Sequence, residues 1–191
     1  MTQAALQKMG HRVVDWKSIQ RRLLKEVTMD ILSATSAEDI MVTTSNYGIA
    51  AYQLWQVQKL RQHIRKEYLD YWEATASDGG IGRPVDAIIC PVAPYAAPPH
   101  GKKSYTNYST VWNALDYPAA TFRVTTVNST LDGKELPHGF YDDFEKTFMK
   151  CTAPEIFKDA PVSLQLAGRT QKKEAVIKMT EIVDVALAAA K

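Results

Sequence analysis

Of the four histidines in the chain, His100 stands in the context best suited to moving a proton. It ends the run Pro91-Val-Ala-Pro-Tyr-Ala-Ala-Pro-Pro-His100, and an imidazole with a pKa near 6.5 changes charge around neutrality. Tyr95, Tyr105 and Tyr108 flank it in sequence, and a phenol can donate a hydrogen bond to a substrate carbonyl oxygen. The plain alternative is a histidine bonded to loop backbone, with the tyrosines as packing. His11 and His63 read as structural or surface residues, and His138 and Tyr141 as either a lid or solvent-facing residues. Cys90 ends an apolar run and reads as a small buried hydrophobe. No histidine and acid fall at ligand spacing on one helix or strand, so no metal is expected. Gly79, Gly80 and Gly82 follow a helical stretch and precede a strand, the wrong context for dinucleotide binding. No cofactor is expected.

The elements that must position these residues alternate between helix and strand. Residues 2–10 form a short helix closed by Gly10, because glycine tolerates the left-handed position past a helix end. His11 to Trp16 alternates as a strand. Residues 17–35 place Ile19, Leu23, Leu24, Val27, Ile31 and Leu32 at helical spacing. After a polar connection, a long helix over 49–75 carries Leu54, Val57, Leu60, Ile64, Leu69 and Trp72 on its apolar stripe. Residues 77–84 form a glycine- and proline-containing loop. Residues 85–91 are apolar almost throughout, as for a strand covered on both faces. They empty into the proline-rich loop, and ligands of α/β proteins gather at such strand ends. A short helix over 105–116 and a strand over 118–127 follow. A polar excursion over 128–160, with a helix at 141–150, then leads to a strand over 161–168. A last helix over 171–190 has Ala175, Val176, Met179, Ile182, Val183 and Ala186 on one face. The alternation predicts an α/β fold, a mixed or parallel sheet of about four or more strands flanked by helices. A single domain over 1–191 is expected.

The whole-chain numbers agree with that. There are 191 residues, 46% hydrophobic and 23% charged, ordinary values for a globular domain. Lys plus Arg total 23 against 21 for Asp plus Glu, a net +2 that gives no electrostatic case for nucleic acid. Uncharged apolar runs stop well short of the ~20 residues that a membrane-spanning helix needs, so no membrane partner is expected. The N-terminal residues do not have the layout of a signal peptide, which points to a cytoplasmic protein. The two cysteines, Cys90 and Cys151, stand in unrelated contexts and suggest neither a disulfide framework nor a zinc site.

Three ordered blocks carry a resemblance. They are Gly82-Arg-Pro-Val-Asp-Ala-Ile-Ile-Cys-Pro91 with the loop to Gly101, Tyr108-Ser-Thr-Val-Trp-Asn-Ala-Leu-Asp-Tyr-Pro-Ala119, and Ala160-Pro-Val-Ser-Leu-Gln-Leu-Ala-Gly-Arg169. Together with Gly10-His-Arg-Val-Val-Asp-Trp16 they resemble the C-terminal portion of the amidase signature family, especially fungal acetamidase-like members. The resemblance implies that Trp112, Asn113, Asp116 and Tyr117 belong to a short helix lining the acyl pocket. Asp116 is then the carboxylate best placed to orient His100 or act as base, unless it is only a helix-end acid. Two positions depart from the family pattern: Arg123 replaces a usual proline and Ser163 a usual glycine. Arginine on an apolar strand must reach solvent, an acid or a ligand, so Arg123 is a candidate substrate contact. The family hydrolyses amides with a serine nucleophile, a second serine in a cis peptide and a lysine, from a glycine- and serine-rich core. No Gly-Gly-Ser-Ser-Gly-Gly run occurs in this chain.

Hydrolysis of an unactivated amide needs acceleration high in the ~10⁶–10¹⁷ range, and one placed acid or base contributes ~10²–10⁴. The first expectation is therefore a repurposed enzyme without the hydrolytic triad. It would perform lyase, isomerase or cyclase chemistry on a small carbonyl- or amide-bearing metabolite, in fungal secondary metabolism. His100, Asp116 and Tyr105 would be catalytic. Tyr95, Tyr108, Trp112, Asn113, Tyr117 and Arg123 would contact the substrate. The alternatives are a non-catalytic protein binding a metabolite or partner, and part of an amide hydrolase complemented by a chain carrying the serines and lysine. The resemblance also implies that core strands absent here would leave an apolar sheet edge bare, so a homodimer covering it is expected.

Overall fold

The computed structural model describes residues 1–34, 50–78, 82–100, 107–132 and 157–190. Helix α1, Thr2–Lys8, ends as expected: Gly10 takes φ +86°, and His11 N–H and Gly10 N–H donate back to Leu6 O and Gln7 O. These two bonds are those of a Schellman stop. Helices α2, Arg21–Ala34, and α3, Ala51–Asp78, follow. Strand β1, Ile88–Pro91, leads through the proline-rich loop to α4, Asn107–Leu115. Strands β2, Ala119–Thr126, and β3, Pro161–Ala167, precede the C-terminal helix α5, Lys173–Ala188.

The α/β class holds, with a smaller and differently wired sheet than expected. The described residues form three strands in the order β1-β3-β2, and both pairings are antiparallel. Ile88 pairs with Ala167 and Ala119 with Ala167, so β3 is the central strand. The stretch His11–Trp16 joins no sheet, correcting the strand expected there. Alternating side chains favour an extended backbone, but a strand also needs a hydrogen-bonding neighbour, and the described residues supply none. The expected helix at 141–150 lies outside the described residues.

Arg123 and Ser163, the two departures noted above, stand opposite one another in the β2–β3 register. The register shifts immediately afterwards, with Thr125 opposite Val162. A bulge leaves a residue unpaired and bends its strand, and Arg123 projects to solvent beside it.

Two apolar clusters cover the sheet. On one face Leu24, Val27, Ile64, Tyr68, Trp72, Val111 and Leu115 join α2, α3 and α4 to Ile88. On the other, Leu6, Phe122, Val124, Leu166, Val176, Val183 and Leu187 join α1 and α5 to β2 and β3. The stripe of α3 runs through Ile64, Tyr68 and Trp72, all but inaccessible, whereas Leu69 and Leu60 are exposed. Gly168 sits where β3 turns toward α5, and a Cβ there would lie 2.5 Å from Val176 Cγ2. Only glycine permits that closeness.

Candidate functional site

The proline-rich loop and β1 are tied to the helices by directed hydrogen bonds. Thr75, near the end of α3, accepts from Val85 N–H at 3.0 Å through its hydroxyl, which donates to Trp72 O at 2.6 Å. Trp72 Nε1–H donates to Val85 O at 2.8 Å. At the far end of β1, the buried Gln165 of β3 donates from Nε2 to Pro91 O at 2.8 Å and to Tyr108 O at 3.0 Å. One amide thus joins β3, the end of β1 and the first turn of α4. Ala97 N–H donates to Pro161 O at 3.0 Å, fastening the loop to the start of β3.

These ties shape a cleft of about 880 Å³ along β1, bordered by the unpaired 11–16 segment. Trp16, Arg21, Tyr68, Cys90, Tyr108 and Trp112 all line it. The Arg21 guanidinium lies over the Tyr108 ring, 4.1 Å from its centroid, a cation–π contact. Trp16 packs against Tyr68, Tyr71 and Trp72, with ring centroids 5.6, 4.8 and 5.7 Å away. The indole N–H groups of Trp16 and Trp112 are buried without an acceptor. Burial pushes the Tyr68 hydroxyl well above the usual phenol range. Burial likewise pushes the Cys90 thiol up, partly offset by Gln165, Arg21 and Trp112, so it is a poor thiolate source at neutral pH. Ser18 is on the rim, and no base is hydrogen-bonded to it among the described contacts. The cleft offers donors to a carbonyl or amide oxygen and no activated nucleophile.

The structure divides the residues singled out from sequence. Tyr108 and Trp112 face the cleft. His100 is exposed on the proline-rich loop and Tyr95 is half-buried there, and neither lines the cleft. Tyr105 lies outside the described residues, as do His138 and Tyr141. Asn113 and Arg123 are exposed. Asn113 contributes its carbonyl to Arg61 Nη2 at 3.2 Å, and Arg61 Nε donates to Ala114 O at 2.7 Å.

Asp116 is not joined to His100. It has φ +61°, its N–H donates to Asn113 O, and Tyr117 N–H donates to Trp112 O at 2.9 Å. That is the same helix stop as in α1, with aspartate in place of glycine. Its exposed carboxylate meets Arg65 Nη2 at 3.5 Å. Tyr117 turns away from the cleft as well and packs against Tyr68, Trp72 and Trp112.

Sequence reasoning missed Arg21, Tyr68 and Gln165. Arg21 resembled any solvated helix charge, and Gln165 any polar residue on a strand. Tyr68 had a signal: Ile64, Tyr68 and Trp72 recur every four residues once tyrosine is counted as apolar.

The fold and cleft define an α/β protein with a ligand-sized, donor-rich concavity against β1, an edge strand among the described residues. The family model described as Amidase matches residues 17–177, and the chain belongs to that family. An amidase of Gibberella zeae is 29% identical over 96% of this chain and 38% of its own length. The acetamidases of Aspergillus oryzae and Emericella nidulans are 26% and 27% identical, each matched over 36% of its length. The fold is similar to that of a fatty acid amide hydrolase, with TM-score 0.80, 20% identity, and coverage of 97% of this chain and 35% of that one. The chain therefore spans a little over a third of the length of the curated relatives it matches. Among the described residues, no helix is long and apolar enough to cross a membrane. Among them, too, no three His, Cys, Asp or Glu are grouped so as to hold a metal ion.

Proposed function

We propose that this chain supplies one wall of the substrate cleft of an amide hydrolase acting on a small amide. The serines and lysine that break the bond come from the remaining length of the fold, whether joined to this chain or carried by another. The observation that carries this reading is the mismatch in coverage: nearly all of this chain aligns with fungal amidases, but only about 36–38% of their length is matched. The site chemistry agrees, since the cleft has donors for an amide oxygen and no activated nucleophile. The test is to assay acetamide hydrolysis by the chain alone, then with the N-terminal portion of a fungal acetamidase. Ammonia release only from the mixture is expected, and hydrolysis by the chain alone overturns the reading.

The lyase, isomerase or cyclase reading requires His100, Asp116 and Tyr105 to act together. No described contact supports that, because His100 is exposed on its loop and Asp116 is turned to Arg65. A homodimer belongs to the proposal in one respect. Where the serine-bearing portion is absent, a second copy covers the β1 edge, and light scattering at micromolar concentration should give twice the chain mass. The proposal places the protein in the cytoplasm, which fractionation of the host cell tests.

A further inference from the structure

Helix α2 opens on the cleft along β1, where Ser18 and Arg21 are among the lining residues. Its first turn holds Arg21 and Arg22 and no acidic residue, so positive side chains stand at the positive end of the helix dipole. Arg22 is paired with Glu26. Arg21 has no acidic partner among the described residues, and its guanidinium lies over the Tyr108 ring instead. Of the two carboxylates in the cleft lining, Asp86 pairs with Arg83, and Asp15 pairs with no cation among the described residues. A guanidinium has five N–H donors, and contact with a ring face leaves them to other partners.

The observation that points to a ligand is Trp112. It is 5% exposed, it lines the same cleft, and its indole N–H has no acceptor among the described residues. The Trp16 N–H, also in the lining, is buried without an acceptor as well. Buried donors left unpaired are uncommon in native proteins. These groups surround one place. Trp112 and Arg21 both act on the Cys90 thiol, and Trp16 and Arg21 both act on the Tyr68 hydroxyl. No carboxylate is among the groups acting on either. This end of the cleft therefore holds a cation and two orphaned donors, and what it lacks is a negatively charged acceptor.

We propose that the amide taken by this cleft carries a carboxylate, held by Arg21 at the N-terminus of α2, with the Trp112 and Trp16 N–H groups donating to its oxygens. This rests on the hydrolase reading and adds the substrate class, a monoamide of a short dicarboxylic acid. A planar carboxylate meets the guanidinium fork with two oxygens and keeps lone pairs for further donors. The helix end favours the same negative charge. A cleft of about 880 Å³ has room for the short chain that separates the carboxylate from the amide.

The test titrates the full chain with succinamate and with butyramide, its uncharged counterpart, at constant ionic strength set by chloride. Indole N–H signals in proton–nitrogen NMR follow binding, and the signal missing from Trp112→Phe is that of Trp112. Saturable binding of succinamate in the millimolar range or tighter is expected, with a shift of the Trp112 signal. It should be about tenfold weaker in Arg21→Gln and several-fold weaker in Trp112→Phe. Arg21 is exposed, so Arg21→Gln keeps its fold, which circular dichroism checks. Succinamate binding that does not saturate, that is equal in wild type and Arg21→Gln, or that is no tighter than butyramide binding overturns the proposal. Binding is read without turnover, so the two readings fail separately: no ammonia from the acetamide mixture, with succinamate binding intact, overturns the hydrolase reading and leaves the carboxylate site.

Discussion

At the scale of single residues, the side chains that hold the cleft differ from those that looked most chemical. Gln165 contributes nothing that a motif search would find, but its amide satisfies two carbonyls on two different elements. Replacing it with leucine keeps its approximate size and strands Pro91 O and Tyr108 O. Both acceptors are only part-buried, and a hydrogen bond contributes ~0.5–1.5 kcal/mol net, so Gln165→Leu should lose about 1 kcal/mol in urea unfolding and loosen the loop toward proteolysis. Tyr68 gives a pH dependence. Its folded-state pKa is raised by burial, so above about pH 10 the unfolded chain releases the phenolic proton while the folded chain keeps it. The unfolded state then binds fewer protons, and stability falls as pH rises, by up to ~1.4 kcal/mol per unit. Unfolding midpoints measured between pH 8 and 11 should show this fall. Tyr68→Phe should reduce it, leaving a residual slope from Cys90 and Tyr117, whose thiol and hydroxyl are also raised by burial.

At the scale of elements, the stops and close approaches set where each helix lies. Asp116 ends α4 in the left-handed region, which Asp and Asn tolerate and β-branched residues do not. Asp116→Asn should therefore leave thermal stability nearly unchanged, because the ion pair it loses is exposed. Asp116→Val should cost at least ~1 kcal/mol and lower the melting temperature by several degrees. Gly168 is a tighter case. An alanine Cβ placed 2.5 Å from Val176 Cγ2 must push α5 off the sheet or rotate a buried valine. Overpacking of this kind costs ~1–3 kcal/mol, and Gly168→Ala combined with Val176→Ala should recover part of it. Failure of the double variant to recover stability would show that the backbone, not the contact, sets the cost.

At the scale of the whole molecule, the sheet formed by the described residues is covered on both faces but has an open edge. β1 is bonded on one side only among the described residues, and the 11–16 segment runs along the cleft without joining it. On α3, Tyr52 and Trp55 are also largely exposed. Unpaired strand edges and exposed aromatics are uncommon on isolated soluble domains. Adding the N-terminal portion of a fungal acetamidase should therefore protect the backbone amides of β1 from hydrogen exchange and raise the unfolding temperature of this chain. Unchanged exchange at β1 would place the contact elsewhere.

What the sequence determined by itself was the local periodicity and the punctuation. The apolar spacings of α2 and α5, the stop at Gly10 and the extended stretches that become β1 and β3 depend on residues a few positions apart, whereas the place of β1 at the sheet edge, with only Ile88 fully buried, does not. So does the family resemblance, which rests on ordered blocks of adjacent residues. Tertiary structure decided the rest, for one physical reason: hydrogen-bond pairing and side-chain direction depend on partners distant in sequence. Antiparallel β1 and β3 meet across more than seventy residues, and nothing local encodes that direction. His11–Trp16 has the pattern of a strand and, among the described residues, lacks a neighbour to make it one. Asp116 and His100 are near in sequence, but the stop at the end of α4 turns the carboxylate toward Arg65. The same turn carries Tyr117 onto Tyr68, Trp72 and Trp112, while Arg21, distant in sequence, is brought over Tyr108 at the cleft.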